Sequence, residues 1–203
     1  MAKQFKTVLL FGGPGVGKGT QGKSLGAIPG FFHHACGDVF RKIDRESELG
    51  KVFVQHSSRG ELVPDDVTVR MWHAAIKEHI EQCDYAPASD LLVLDGIPRT
   101  TAQVELTGQH IDVERVVHLT CTNPEAMFQR LHDRAMKEGR QDDADDSVIR
   151  RRWDVYQAET APVLACYPPS TITDVDAIGT PADVLMKVLA IVAPIQAAHT
   201  RGE

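Results

Sequence analysis

The sequence predicts an α/β fold, a three-layer sandwich with helices on both faces of a central parallel sheet. Three observations predict it. Short, continuously apolar runs such as Leu91-Leu92-Val93-Leu94 suit strands covered on both faces. Segments with helical periodicity alternate with these runs, the order that a parallel sheet requires. The first run, residues 6–11, ends in a glycine cluster that leads directly into a helical pattern, giving a strand, a loop and a helix at the start.

The elements follow in order. Residues 6–11 are β-branched and aliphatic and predict the first strand, and a helix continues over 18–27. Residues 36–64 break the alternation with two short helical pieces, 39–46 and 51–57, closed by Gly60, and read as an inserted helical lobe. A helix over 65–81 precedes the strand at 91–94, which ends at Asp95-Gly96. A helix at 101–109, a strand at 115–120, helices at 124–136 and 147–166, a strand at 171–175 and a helix at 181–195 complete the pattern. Asn123-Pro124 and Thr180-Pro181 fit an N-cap followed by proline in the first turn, where its missing N–H is harmless. Residues 135–146 are polar, with Gly139 and four aspartates, and predict a short flexible flap.

A chain of 203 residues fits one domain with small insertions. Its 42% hydrophobic and 25% charged residues, without repeats or low-complexity stretches, are ordinary for a soluble protein and predict an ordered chain outside the termini. The apolar run from Val8 to Phe11 is too short for a signal-peptide core or a membrane span, so a cytoplasmic protein without a membrane partner is expected. Cys36, Cys83, Cys121 and Cys166 lie far apart with no C-x-x-C pair, which suggests neither a disulfide framework nor a zinc ribbon. A net charge of −6 argues against a nucleic-acid partner. Against that background Arg130, Arg134, Arg140, Arg150, Arg151 and Arg152 crowd one short stretch, pointing to a small, highly charged anion.

The strongest motif is Gly12-Gly13-Pro14-Gly15-Val16-Gly17-Lys18-Gly19-Thr20, between a predicted strand and a predicted helix. Glycines let successive backbone N–H groups turn toward one anion, the helix N-terminus adds its dipole, and Lys18 supplies a point charge. This is a phosphate loop, and the predicted fold becomes a P-loop sandwich. Gly19 occupies the usual hydroxyl position and Thr20 follows one later, which departs from a simple GTPase-like Mg²⁺ site. A second motif, Asp95-Gly96-Ile97-Pro98-Arg99-Thr100-Thr101-Ala102-Gln103, follows an apolar strand. An Asp at a strand end facing a phosphate loop suits Mg²⁺ bound through water, and Arg99 beside Pro98 suits a fork onto phosphate.

The two motifs together closely resemble those of the adenylate kinase family. The resemblance extends to Cys36-Gly37-Asp38-Val39-Phe40-Arg41, Gly60-Glu61-Leu62-Val63-Pro64-Asp65, Gly139-Arg140-Gln141-Asp142-Asp143 and Asp176-Ala177-Ile178-Gly179, so it covers essentially the whole chain. It implies a core (1–35, 65–132 and 144–203), an AMP-binding lobe at 36–64 and a short lid at 133–143. It implies reversible transfer of a phosphoryl group from ATP to AMP, giving two ADP, by a cytoplasmic monomer that uses Mg²⁺ and no structural zinc. By resemblance, Gly15, Val16, Gly17, Lys18, Gly19 and Thr20 would hold ATP phosphates, with Arg130, Arg134 and Gly179 on the same nucleotide. Cys36, Arg41, Glu61, Leu62, Val63, Gly96, Ile97, Pro98, Arg99 and Gln103 would bind AMP, Gln103 reading the adenine edge. Arg140 and Arg151, with Lys18, Arg99 and Arg134, would gather around the transferring group, and Asp95 would hold Mg²⁺ through water.

Cys36 stands where the family has threonine or serine, and a thiol is a weaker donor. Arg130 and Arg134, four apart, share a helix face. Arg150 and Arg152 are expected on a solvated face, since a helix points three consecutive residues in different directions, and Arg151 is the one assigned to the chemistry. The nine histidines show no metal-ligand spacing. Trp72 and Trp153 are expected to be packing residues. A UMP/CMP kinase, or a nucleotide-binding regulator without transfer activity, remains the alternative.

Overall fold

The structure is a computed structural model that describes residues 4–138 and 145–202. Its sheet comprises β1 (Phe5–Phe11), β2 (Phe31–Ala35), β3 (Leu91–Asp95), β4 (Ile111–Thr120) and β5 (Ile172–Asp176). They lie side by side in the order β2-β3-β1-β4-β5, every pair parallel. Around the sheet stand α1 (Lys18–Gly26), α2 (Cys36–Lys42), α3 (Glu48–Ser57), α4 (Asp65–Glu81), α5 (Thr101–Thr107), α6 (Pro124–Glu138), α7 (Asp146–Val155) and α8 (Pro181–Arg201). This is the α/β sandwich that the alternating runs predict.

The continuous apolar runs are explained by the pleat, which turns alternate side chains to opposite faces. On one face Val8 and Leu10 of β1, Leu91 and Val93 of β3 and Val117 and Leu119 of β4 pack with Leu25 of α1, Met127 of α6 and Val184, Val188 and Val192 of α8. On the other face Leu9, Phe11, Leu92, Leu94 and Val116 pack with Phe40 of α2 and Val69, Trp72 and Ile76 of α4. With both faces covered, neither half of the alternation needs to be polar. By length and composition α8 is apolar enough to cross a membrane, but three of its valines are in the core just described.

Three differences from the sequence expectation have local causes. Strand β2 is absent from the predicted elements because His33 and His34 interrupt its apolar run. As an edge strand it registers His33 opposite Val93 and His34 opposite Leu94. The helix expected over 147–166 holds α geometry only to Val155, then passes through a π-turn (Tyr156–Thr160) and a 3₁₀ stretch (Ala161–Cys166). Pro162 has no N–H to donate and its ring conflicts with the carbonyl four residues back, so the α ladder cannot continue through it. Finally, α8 runs to Arg201, through Pro194, rather than stopping near 195; its start carries a capping box between Thr180 and Asp183.

The chain leaves β1 toward the β2 edge and leaves β3 toward β4, so a crevice opens beyond the C-terminal ends of β1 and β3. Such a topological switch point is where ligands bind in open α/β sheets.

Candidate active site

The loop after β1 is shaped by what its neighbours leave no room for. Gly15 has φ +80°, and a Cβ there would stand 2.6 Å from the Met127 carbonyl oxygen. Gly13 has less space still, since the Trp153 indole covers it. Gly17 caps α1 without a side chain, so the first-turn N–H groups have no side-chain acceptor from it, the condition under which a helix start can receive an anion. Lys18 folds back over the loop, its Nζ donating to the carbonyls of Gly12 at 2.7 Å and Gly13 at 3.0 Å. Burial lowers its pKa to about 8; Asp95 opposes this, while Arg99, Arg152 and Arg134 add to it. Val16 is buried in the core and Thr20 is exposed on α1.

Asp95 ends β3 and is 9% exposed. Its Oδ2 lies 3.6 Å from the place of a Cβ on Gly19, which puts the carboxylate beside the phosphate loop. A hard oxygen donor there, next to a site for phosphates, fits Mg²⁺ carried with its own water shell. Among the described residues no group of three or more His, Cys, Asp or Glu side chains could hold a metal ion by itself.

The turn after Asp95 contains a cis peptide bond between Ile97 and Pro98 and brings Arg99 back over the strand end. Arg99 Nε donates to the Gly96 carbonyl at 2.8 Å, and its backbone N–H donates to Gln103 Oε1 at 2.7 Å. Burial lowers the Arg99 pKa as well; the facing Cys36 and Asp95 counter this, whereas Arg152 and Arg41 reinforce it. Cys36 is 2% exposed, and burial pushes its thiol up to about 12, with Arg99 and Arg41 pulling the other way. Arg41 donates to the Asp38 carboxylate one turn earlier on α2.

One cleft connects these parts. Its walls include the cations Lys18, Arg41, Arg99 and Arg152 and the apolar side chains Phe40, Phe53, Leu62, Val63 and Ile97. Cys36, Glu61, Gly96, Pro98 and Gln103 also line it, so among the described residues each acceptor-side residue named from the sequence reaches this cleft except Arg151. Arg140 lies outside the described residues, together with the rest of 139–144. The remaining donor-side residues do not line it. Arg130 Nη2 donates to the Ala177 carbonyl at 3.2 Å, tying α6 to the turn that holds Gly179. Arg134 is half-buried and close enough to depress Lys18.

The arginine triplet is placed differently from expectation. Arg151 is exposed and lines no part of the cleft; Arg152 is half-buried and lines it beside Lys18 and Arg99. Helical phase explains the choice. Ile149 of α7 is buried, and the residues three and four beyond it, Arg152 and Trp153, share its face, whereas Arg151 at two beyond does not. The buried Ile149 was the available signal, since an apolar residue in a polar helix marks its inner face. Trp153 is the other contributor not anticipated: a Cβ on Gly13 would stand 2.3 Å from its ring.

Known proteins resemble the chain over most of its length. A profile of the adenylate kinase family matches residues 10–172. The chain is similar to the adenylate kinase of Kocuria rhizophila, 37% identical over 190 residues, covering 90% of this chain and 96% of that protein. It is also 38% identical over 193 residues to the adenylate kinase of a Nocardioides species (89% and 94% covered) and 36% identical over 166 residues to that of Flavobacterium psychrophilum (79% and 83% covered). With the loop, the strand-end Asp95 and the arginine-lined cleft all inside or beside the matched span, the chain belongs to the adenylate kinase family of nucleotide phosphotransferases.

Proposed function

We propose that this chain transfers the terminal phosphoryl group of ATP to AMP, giving two ADP, and runs the reverse reaction equally directly. The observation that carries the reading is the cleft itself: Lys18 of the phosphate loop and Arg41, Arg99 and Arg152 all line one space that apolar side chains and Gln103 also line. Such a space suits an acceptor nucleotide whose phosphate meets that of a donor held on the loop, with its base among the apolar side chains.

The chemistry needs little beyond this. Phosphoryl transfer spreads negative charge over three equatorial oxygens, and positioning with electrostatic stabilisation does most of the work. Residues 15–20 hold the donor phosphates, with Arg130, Arg134 and Gly179 toward the donor's base. Arg41 and Arg99 grip the acceptor phosphate, and the backbone at 61–63 and the Gly96-Ile97-Pro98 turn line its nucleoside. Lys18, Arg99, Arg134 and Arg152 surround the group in transit, Arg152 taking the role that the sequence assigned to Arg151; Arg140 would join them from the lid. Mg²⁺ bound with ATP neutralises phosphate charge, and Asp95 would hold it through water. Residues 36–64 act as the AMP-binding lobe and 133–143 as the lid on the remaining core. Closure of the two would exclude water, which competes with AMP as acceptor. The enzyme acts in the cytoplasm as a monomer and balances the adenine nucleotide pool.

Steady-state ADP formation from ATP with AMP, CMP, UMP or GMP, each with and without Mg²⁺, tests the reading. Magnesium-dependent turnover with AMP well above the other acceptors is expected. Preference for UMP or CMP, or ATP binding without AMP-dependent turnover, would overturn it.

A further inference from the structure

Gln103 is 1% exposed, and both ends of its side chain are engaged. Its Oε1 accepts from the Arg99 backbone N–H at 2.7 Å, and its Nε2 donates to Asp65 Oδ1, also at 2.7 Å. Its backbone is held too, the N–H by Thr100 Oγ1 at 3.1 Å and the carbonyl by Thr107 Oγ1 at 2.7 Å. An amide's two ends have nearly the same shape, so its orientation is normally set by the neighbouring hydrogen bonds. Here the two neighbours are of opposite kind. A backbone N–H can only donate and a carboxylate can only accept, so rotating the amide by half a turn would oppose donor to donor and acceptor to acceptor.

We infer that Asp65 is a positioning residue for base selection: with the Arg99 N–H it locks the Gln103 amide in one orientation, and this lock selects a 6-aminopurine monophosphate over a 6-oxopurine one. The inference rests on the reading above that Gln103 faces the acceptor's base. After its two fixed bonds the amide keeps one N–H and one oxygen lone pair, and Gln103 lines the cleft. A 6-aminopurine edge donates at position 6 and accepts at N1. A 6-oxopurine edge accepts at position 6 and donates at N1. For a base in a given place, the locked amide pairs with one edge and opposes the other at both positions. A free amide would rotate and accept either. Asp65, 38 residues before Gln103 and in the first turn of α4, therefore acts on specificity through Gln103.

AMP and IMP differ at this edge alone, which makes them the probes. The test is kcat/KM for each with saturating ATP, and Kd for each by calorimetry, in wild type, Asp65→Asn and Asp65→Ala. Wild type should prefer AMP by about a hundredfold or more, since two buried hydrogen-bonding positions are mismatched. Asp65→Ala should cut that ratio about tenfold by removing one charge-assisted partner, and Asp65→Asn, whose carbonyl can still accept, should fall between. The KM for ATP should not follow the ratio. A wild-type ratio near one overturns the inference without any variant. So does a wild-type ratio kept in both variants, including the case where AMP and IMP lose activity in parallel, as a purely structural role would predict. Absence of AMP-dependent turnover in wild type would sink the transfer reading instead, and the ratio of dissociation constants would still decide the inference. If neither nucleotide binds, both fall.

Discussion

Trp153 closes on Gly13 so tightly that a Cβ on the glycine would stand 2.3 Å from the indole Cζ3. The phosphate loop is thus held from outside by a side chain of α7, the helix that also carries Arg152 into the cleft. Loop and arginine are coupled through one short element. Gly13→Ala should displace either the loop or α7 and lower turnover at least tenfold, by the scale that misplacement of reacting groups costs. The check is kcat in a coupled ADP assay, with circular dichroism to show the fold retained.

The same contact makes an optical reporter. Trp72 is fully buried in the core, away from the loop, while Trp153 touches it. Titration with ATP should change tryptophan emission in wild type and leave it unchanged in Trp153→Phe. An equal response in both proteins would place the signal at Trp72 and contradict the coupling.

The cationic cluster predicts a graded set of losses. Lys18→Ala and Arg99→Ala should abolish most transfer with the fold intact. Arg152→Ala should lower kcat by about a hundredfold or more, the scale of removing one transition-state donor. Arg151→Ala, at an exposed position, should stay within about twofold, because a solvated side chain away from the cleft stabilises nothing that develops in transfer. Reversal of the last two results would return the role to Arg151.

Donor binding should depend on pH through Lys18. Its pKa in the free enzyme is lowered to about 8, chiefly by burial, and a phosphate beside it would raise that value. The protonated form is then the binding form. Affinity for ATP should be flat below pH 8 and fall above it, approaching tenfold per pH unit until the pKa of the complex is reached. Calorimetric Kd values between pH 7 and 9.5 would show this slope, and Lys18→Met should remove it.

Stability should fall on the acid side for a separate reason. His34 is 4% exposed, and burial lowers its pKa to about 4, with His79 and His33 adding to the effect. The unfolded chain takes up this proton near its ordinary value of 6.5, before the folded one does. The contribution is therefore complete above pH 6.5 and lost as pH falls from there through 4, by on the order of 3 kcal/mol. His33, His73 and His110 are shifted in the same direction. Urea midpoints measured from pH 7.5 to 4 should decline, with a smaller slope in His34→Phe.

The sequence alone determined the phosphate loop, the strand that feeds it, the Asp95 to Gln103 motif and the class of fold. These are properties of contiguous residues: glycines that admit a turned backbone, a lysine at a helix start, apolar runs with a fixed period. Tertiary structure decided what depends on remote partners. Edge strand β2 is hydrogen-bonded into place by β3 although its own pattern is broken by two histidines. Three adjacent arginines are equivalent in composition, and only the packing of Ile149 turns Arg152 inward and leaves Arg151 in solvent. The orientation of the Gln103 amide belongs to Asp65 and Arg99, one of them 38 residues away, because an amide has no preference of its own until a donor and an acceptor flank it.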